Sequence, residues 1–335
     1  MLGACWDHDG LRQARIQHSL QPYLNMKSPL ISTLLLGLAF PAGANEKTPA
    51  PATGPASQPI RPSLDTGYSQ GEFQWTIAGN ENGNSPNILS DLDWQNLRIV
   101  PIGIKTEVDL WGNWKLRGAA SYGRVISGKS RDSDYDGNNR SGEFSRSYAD
   151  ADGSHSVVVS LELGYTFHLH QRLTLTPWLG GSYHQQFLGM KNGVSVLDDE
   201  GPTGKFSGLD SSYDARWLGG SLGLDMGWSL TTNTRILLGA RCELLQYEGK
   251  GDWNLPDDIR YFDHKADGYA IGLKAGVEWD FTPSWTLGVL LDWATMRTSA
   301  GVDRSHFTDG TTESIKLNGA RWEAAGIRAG LTYRF

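Results

Sequence analysis

Between Asp132 and Glu143 the chain reads Asp-Ser-Asp-Tyr-Asp-Gly-Asn-Asn-Arg-Ser-Gly-Glu. Asp132, Asp134, Asp136 and Glu143 fit the D-x-D-x-D-G-x5-E spacing of a calcium-binding loop. The chemistry is direct: alternate carboxylates converge on a hard cation, Gly137 permits a sharp turn, and a terminal Glu can bind through both oxygens. Ca2+ on this loop is the one cofactor the residues suggest, and none is required. Two features depart from the pattern. Asn139 stands where an apolar residue is usual, and the flanks read as strand and loop rather than as helices. The plainer reading is a solvated acidic loop. A second polar stretch holds Asp252-Trp253-Asn254 and then Asp263-His264. The two cysteines, Cys5 and Cys242, offer neither a metal site nor a redox motif.

The elements that position these loops are strands. At the carboxyl end Ala325, Ile327, Ala329, Leu331, Tyr333 and Phe335 alternate with Ala324, Gly326, Arg328, Gly330, Thr332 and Arg334. Successive strand side chains point to opposite faces, so one face suits lipid and the other a wet interior. The same period runs through Tyr269 to Phe281, Ile236 to Leu244, Val157 to Phe167 and Val100 to Leu110. Charges on the second face (Lys105, Glu107, Arg241, Glu243, Lys274, Glu278, Asp280) are tolerable only where they meet water or one another inside a barrel. Ten such segments can be counted: about 71–80, 94–110, 114–127, 155–168, 172–188, 214–229, 233–249, 268–281, 284–299 and 319–335. An even count puts both barrel ends on one side. Short connections then fall on that side, and long polar ones (81–93, 128–154, 189–213, 250–267, 300–318) on the other. Short periplasmic turns and long outer loops are the asymmetry of an outer-membrane barrel. The expected fold is therefore all-β, a closed antiparallel transmembrane β-barrel of about ten strands in the bacterial outer membrane, with its loops at the cell surface.

Upstream, Met26-Lys27 opens a basic region, Leu30 to Phe40 is apolar, and Pro41-Ala42-Gly43-Ala44 supplies a small-residue cleavage pattern. This predicts a leader and signal peptide over 1–44, starting at Met26 and cut after Ala44. Residues 45–70, rich in Pro, Ala and Ser, read as a disordered periplasmic linker, and 71–335 as the barrel. The net charge of −7 argues against nucleic acid as a partner. Outer-membrane lipid and lipopolysaccharide are the expected partners, with Arg or Lys against phosphate at the rims.

Ten strands, five large outer loops, Ser90-Asp91-Leu92-Asp93-Trp94 entering the second strand, the Gly268–Gly276 stretch and the closing strand together resemble the omptins. These are outer-membrane endopeptidases. The closing Phe335, behind Tyr333 and Leu331, resembles the signal read by the barrel-assembly machinery. The resemblance implies a D-x-D pair on the second loop, matched by Asp132 and Asp134, and a D-x-H pair on the fourth. There Asp252 matches, but Asn254 stands where the family has His. In that family the His and an Asp activate water against a peptide carbonyl, and Asn cannot act as that base. The only His on the loop is His264, so the catalytic set the resemblance implies is Asp132, Asp134, Asp252 and His264.

Three functions from different classes follow. One is an omptin-like surface endopeptidase using Asp-activated water. Another is a non-catalytic surface barrel whose loops bind a peptide or host protein, stiffened by calcium. The third is a small pore, which a bore lined by opposing charges disfavours, because such charges pair and plug.

Overall fold

The computed structural model describes residues 60–255 and 258–335. The leader, the cleavage site at Ala44 and residues 45–59 of the expected linker lie outside them. The strands are β1 (Ile60–Ile77), β2 (Ser90–Asp109), β3 (Trp114–Gly137), β4 (Ser141–Asp150), β5 (His155–Tyr165), β6 (Phe167–His170), β7 (Leu173–Asp198), β8 (Gly204–Lys205), β9 (Asp210–Ser229), β10 (Thr234–Asp252), β11 (Ile259–Asp280), β12 (Trp285–Thr298), β13 (Gly301–Phe307) and β14 (Thr312–Tyr333). Ten of them form an antiparallel ring, β1-β2-β3-β5-β7-β9-β10-β11-β12-β14, and β14 pairs back onto β1. Above the ring, β4 continues the wall between β3 and β7, and β13 continues it between β11 and β14.

All ten expected strands are present, but they are longer than their apolar alternation. Much of the expected loops 128–154, 189–213, 250–267 and 300–318 is strand, running past the lipid zone as a polar wall. There the outward face is mostly polar because it meets water, and most of the large apolar residues face inward. The first strand begins at Ile60 rather than 71, so residues 60–70 belong to the wall and not to a linker. Pro62 does not break it. Pairing with β14 starts only at Ser63, so the N–H that proline lacks has no ladder partner to lose on that side.

The alternation has the expected sense. Leu64, Ile102, Ile104, Leu161, Leu179, Leu244, Leu291 and Ile327 are exposed on the outer wall. Free Cys242 lies on this face too, exposed and paired in register with Leu222 and Ile271. The bore at this level is ionic. Arg117 donates to Glu162 (2.9 Å) and Asp225 (2.6 Å), and its guanidinium lies 4.0 Å over the Trp178 ring. Lys274 donates to Asp225 at 2.9 Å, Arg241 pairs with Glu162 and Glu243, and His184 meets Glu243 at 2.8 Å. Nearer the short turns Glu107 pairs with Arg61 and Lys115, Glu278 with Arg235, and Asp280 with Arg334.

Above the ion pairs the bore is apolar. Phe73, Trp75, Trp94, Tyr213, Trp217 and Tyr247 are all no more than 4% exposed and fill the cross-section. Glycine makes room for them. A Cβ on Gly249 would lie 1.9 Å from the Tyr213 hydroxyl, and one on Gly251 would lie 2.0 Å from the Phe262 ring. Large-into-small complementarity of this kind is what packs a barrel interior.

The ion network supports one prediction. Glu162 is 2% exposed, so Arg117→Ala leaves it and Asp225 short of a partner in a desolvated bore. A loss of about 3–5 kcal/mol is expected, read as the urea midpoint of the refolded barrel in detergent. Leu244→Ala, on a lipid-facing side chain 78% exposed, should cost under about 1 kcal/mol in the same assay.

Candidate functional site

The expected site residues all lie in the extramembrane half. Asp132 and Asp134 sit two apart on β3, opposite Leu92 and Ser90 of β2, and so share the inward face. Ser90 Oγ donates to Asp132 Oδ1 at 3.5 Å. Burial inside the barrel mouth raises both carboxyls. Asp132 goes well above the usual carboxylate range, with Asp134 beside it adding to the effect. Asp134 is pushed up to about 6, against the hydrogen bonds from Ser90 and Ser145. Two desolvated carboxyls side by side cannot both ionise cheaply. Burial thus raises the proton affinity of both.

The remaining residues of the expected calcium loop are not gathered with them. The stretch is a hairpin, β3 into β4 through a single turn at Asn138–Arg140, rather than a coiled loop. A register shift between Asp134 and Tyr135 ends the alternation, and Asp136 is exposed. Glu143 takes a hydrogen bond from Arg146 Nε at 2.7 Å, which holds it below the usual carboxylate range. The four oxygens do not converge, and among the described residues no cluster of three or more His, Cys, Asp or Glu could hold a metal ion.

The fourth-loop residues are also dispersed. Asp252 is exposed at the end of β10. Asn254 is a structural tie: its Oδ1 accepts from Asp210 N–H (2.9 Å) and Ser211 Oγ (3.0 Å), and its Nδ2 donates to the Gly208 carbonyl (2.6 Å). His264 is 0% exposed, its ring among Trp75, Tyr213 and Phe262. Its Nε2 meets Asp303 Oδ2 at 2.7 Å and its Nδ1 meets the Tyr213 hydroxyl at 2.6 Å. A carboxylate only accepts, so Nε2–H donates to Asp303; with a neutral ring, Nδ1 accepts from Tyr213, whose hydroxyl oxygen then accepts from Tyr247. Burial keeps both tyrosines protonated far above their ordinary range. His264 is thus the middle of a closed Tyr–Tyr–His–Asp chain, paired with Asp303 and not with its sequence neighbour Asp263. Asp263 instead meets His306 on the outer face, at 2.6 Å.

Sequence reading missed Tyr213, Tyr247 and Asp303. Tyr247 lay in an expected strand with nothing to single it out, while Tyr213 and Asp303 fell in expected loops. The available signal was alternation continuing through polar residues. His184 and His155 are not part of this site: His184 is on Glu243, and His155 is stacked on Tyr122 and Phe187.

The raised carboxyls fix the sign of a pH effect. They bind protons more tightly folded than unfolded, so stability should rise as pH falls through about 6 and the gain is complete below the unfolded value. The urea midpoint should therefore increase from about pH 7.5 to about pH 5. Asp134→Asn should reduce that rise, and what remains comes from Asp132 and from Asp93, which burial also raises.

Comparison with known proteins adds a family and a fold. The model of a family described as Pom, Protochlamydia outer membrane protein, matches residues 63–335. No curated protein matches the chain. Among solved structures it is similar to the outer membrane protease OmpT from Escherichia coli, at 16% identity and a TM-score of 0.69, covering 84% of this chain and 98% of that one. It matches the translocator domain of the autotransporter NalP from Neisseria meningitidis at 13% identity, TM-score 0.34, over 83% and 88% of the two chains. Neisserial surface protein A matches at 11% identity, TM-score 0.29, over 82% and 97%. At these identities the OmpT likeness speaks for the fold alone.

Proposed function

This chain belongs to the Protochlamydia outer membrane protein family and resides in the bacterial outer membrane, and on that premise we propose that it is a surface barrel that binds rather than cleaves. The observation that carries the reading is the state of its histidine. A general base must reach the water it activates. His264 is wholly enclosed and has both ring nitrogens committed. Asn254, at the position where the resemblance calls for His, holds two loops together and has no basic nitrogen. Asp132 and Asp134 without such a partner have no base to relay a proton to or from a substrate. Cleavage through Asp132, Asp134, Asp252 and His264 would require His264 to leave Asp303 and Tyr213 for solvent.

The aromatic packing above the ion pairs argues in the same way against conduction. What stays available is the outer surface. Exposed Arg98, Lys129, Arg216 and Arg297 stand above the aliphatic belt, where they can meet the phosphates of lipopolysaccharide. The long extramembrane wall and its loops are then the part offered to a peptide or host-protein ligand.

The test is digestion of a mixed peptide library by the refolded barrel with lipopolysaccharide, with and without calcium, beside Asp132→Ala, Asp252→Ala and His264→Ala. No cleavage is expected from any of them. Cleavage by the natural chain that disappears in all three variants would sink the binding reading and establish a relocated base.

A further inference from the structure

On the outer face of the wall, across β14, β1, β2 and β3, lies a cleft of about 150 Å3 lined chiefly by Glu72, Gln74, Asp93, Gln95, Arg131 and Arg321. In register it sits above the lipid belt: outward-facing Leu64 and Tyr68 of β1 give way to Gln70, Glu72 and Gln74. It is on the opposite side of β3 from Asp132 and Asp134, so it stands independently of the reading above.

The cleft is built, and it is incompletely satisfied. Asp91, next to it, is saturated: Gln74 Nε2 donates to its Oδ1 at 2.8 Å and Arg140 Nε to its Oδ2 at 2.8 Å. Asp93 is different. It is 5% exposed, its Oδ2 is held by Arg131 at 2.6 Å, and its Oδ1 is buried with no hydrogen-bond partner. Arg131 Nε and Arg321 Nε are likewise buried donors with no acceptor, although both guanidinium groups are anchored, Arg131 on Asp93 and Arg321 on Glu323. Buried polar groups are almost always paired, so one free acceptor and two free donors at one small cleft call for a partner.

The chemistry of that partner follows from what is free. It must donate to Asp93 Oδ1 and accept from the two Nε–H groups. The lining charges balance, Asp93 and Glu72 against Arg131 and Arg321, so an ion gains little from the cleft as a whole. A hydroxyl is neutral and both donates and accepts. Vicinal hydroxyls on one ring present several such groups at fixed spacing, and Gln74 and Gln95 add amides that can do either. The volume is well under the roughly 300–1,000 Å3 of a drug-sized site, which leaves room for one ring and not a chain. We propose that this cleft binds a single neutral, hydroxyl-rich sugar unit, either free or as the terminal residue of a glycolipid headgroup.

The test uses the full refolded chain in detergent. Saturation-transfer NMR and calorimetric titration would be run with glucose, galactose and N-acetylglucosamine, and separately with a neutral glycosyl-diacylglycerol in mixed micelles. The natural chain should bind at least one of these. Arg321→Lys keeps the charge but removes the Nε donor, and Asp93→Asn keeps the shape but removes the charged acceptor. Each should weaken binding about tenfold or more, as expected for a lost hydrogen bond to a charged group. Heat-modifiable gel mobility would report that both variants are folded, and Leu244→Ala, on the lipid-facing wall, should bind as the natural chain does. Response in the micelle arm alone would identify the glycolipid as the source. No binding of any of these ligands by the folded natural chain would overturn the proposal. So would binding that Arg321→Lys and Asp93→Asn leave unchanged, which would leave the cleft as a solvent site.

Discussion

In a hydrocarbon layer a backbone N–H or C=O has no water to turn to, and every one must find a partner within the protein. In this chain the requirement is met by closure: β14 lies antiparallel on β1 from Ser63 to Ile77, and no sheet edge is left in the ring. The rest of the architecture depends on that seam. Once the ring closes, the period of two separates an outer surface of Leu, Ile and Val from an inner one, and each side chain has only one side on which to find its solvent or its partner. A register slip of one residue anywhere would put Arg117 or Lys274 into lipid.

The closed bore then poses two problems at two heights, and it solves them differently. At membrane level the interior carries charge, so stability rests on ion pairs that share partners: Arg117 and Lys274 on Asp225, Arg241 on both Glu162 and Glu243. Higher up, where water lies outside the wall, the interior turns apolar and aromatic, as in a soluble core. The polar face has moved to the outside, where Asp91, Asp93, Arg131 and Arg140 bind one another. The extramembrane wall is in effect a small globular core wrapped by the same strands that span the membrane.

That second core decides what the candidate site can do. His264 enters it from β11 and is sealed between Tyr213 and Asp303, far more useful as packing and hydrogen bonding than as a base. Asp132 and Asp134 enter it from β3 and lose their water, which raises their affinity for protons. The omptin-like fold is retained, while the histidine that the resemblance requires at a loop position is replaced by an asparagine whose three hydrogen bonds are all structural.

The sequence by itself determined the class of fold, the number of ring strands, which face of each strand meets lipid, and the side on which the short turns lie. Each of these follows from local alternation, such as Ala325 to Phe335, because lipid and a wet bore make opposite demands on neighbouring residues. It did not determine where the strands end. Residues such as Arg131-Asp132-Ser133-Asp134 are polar on both faces, and only pairing with β2 and β4 makes them strand. Nor did it determine partners. Asp263 adjoins His264 in sequence, yet strand geometry points the two to opposite faces. Asp303 becomes the partner because β13 lies beside β11, a neighbourhood that exists only when the chain is folded. The calcium-loop spacing belongs to the same category. It is a distance along the chain, and a strand with a register shift spends that distance differently from a loop, sending Asp132 and Asp134 inward and leaving Asp136 and Glu143 elsewhere.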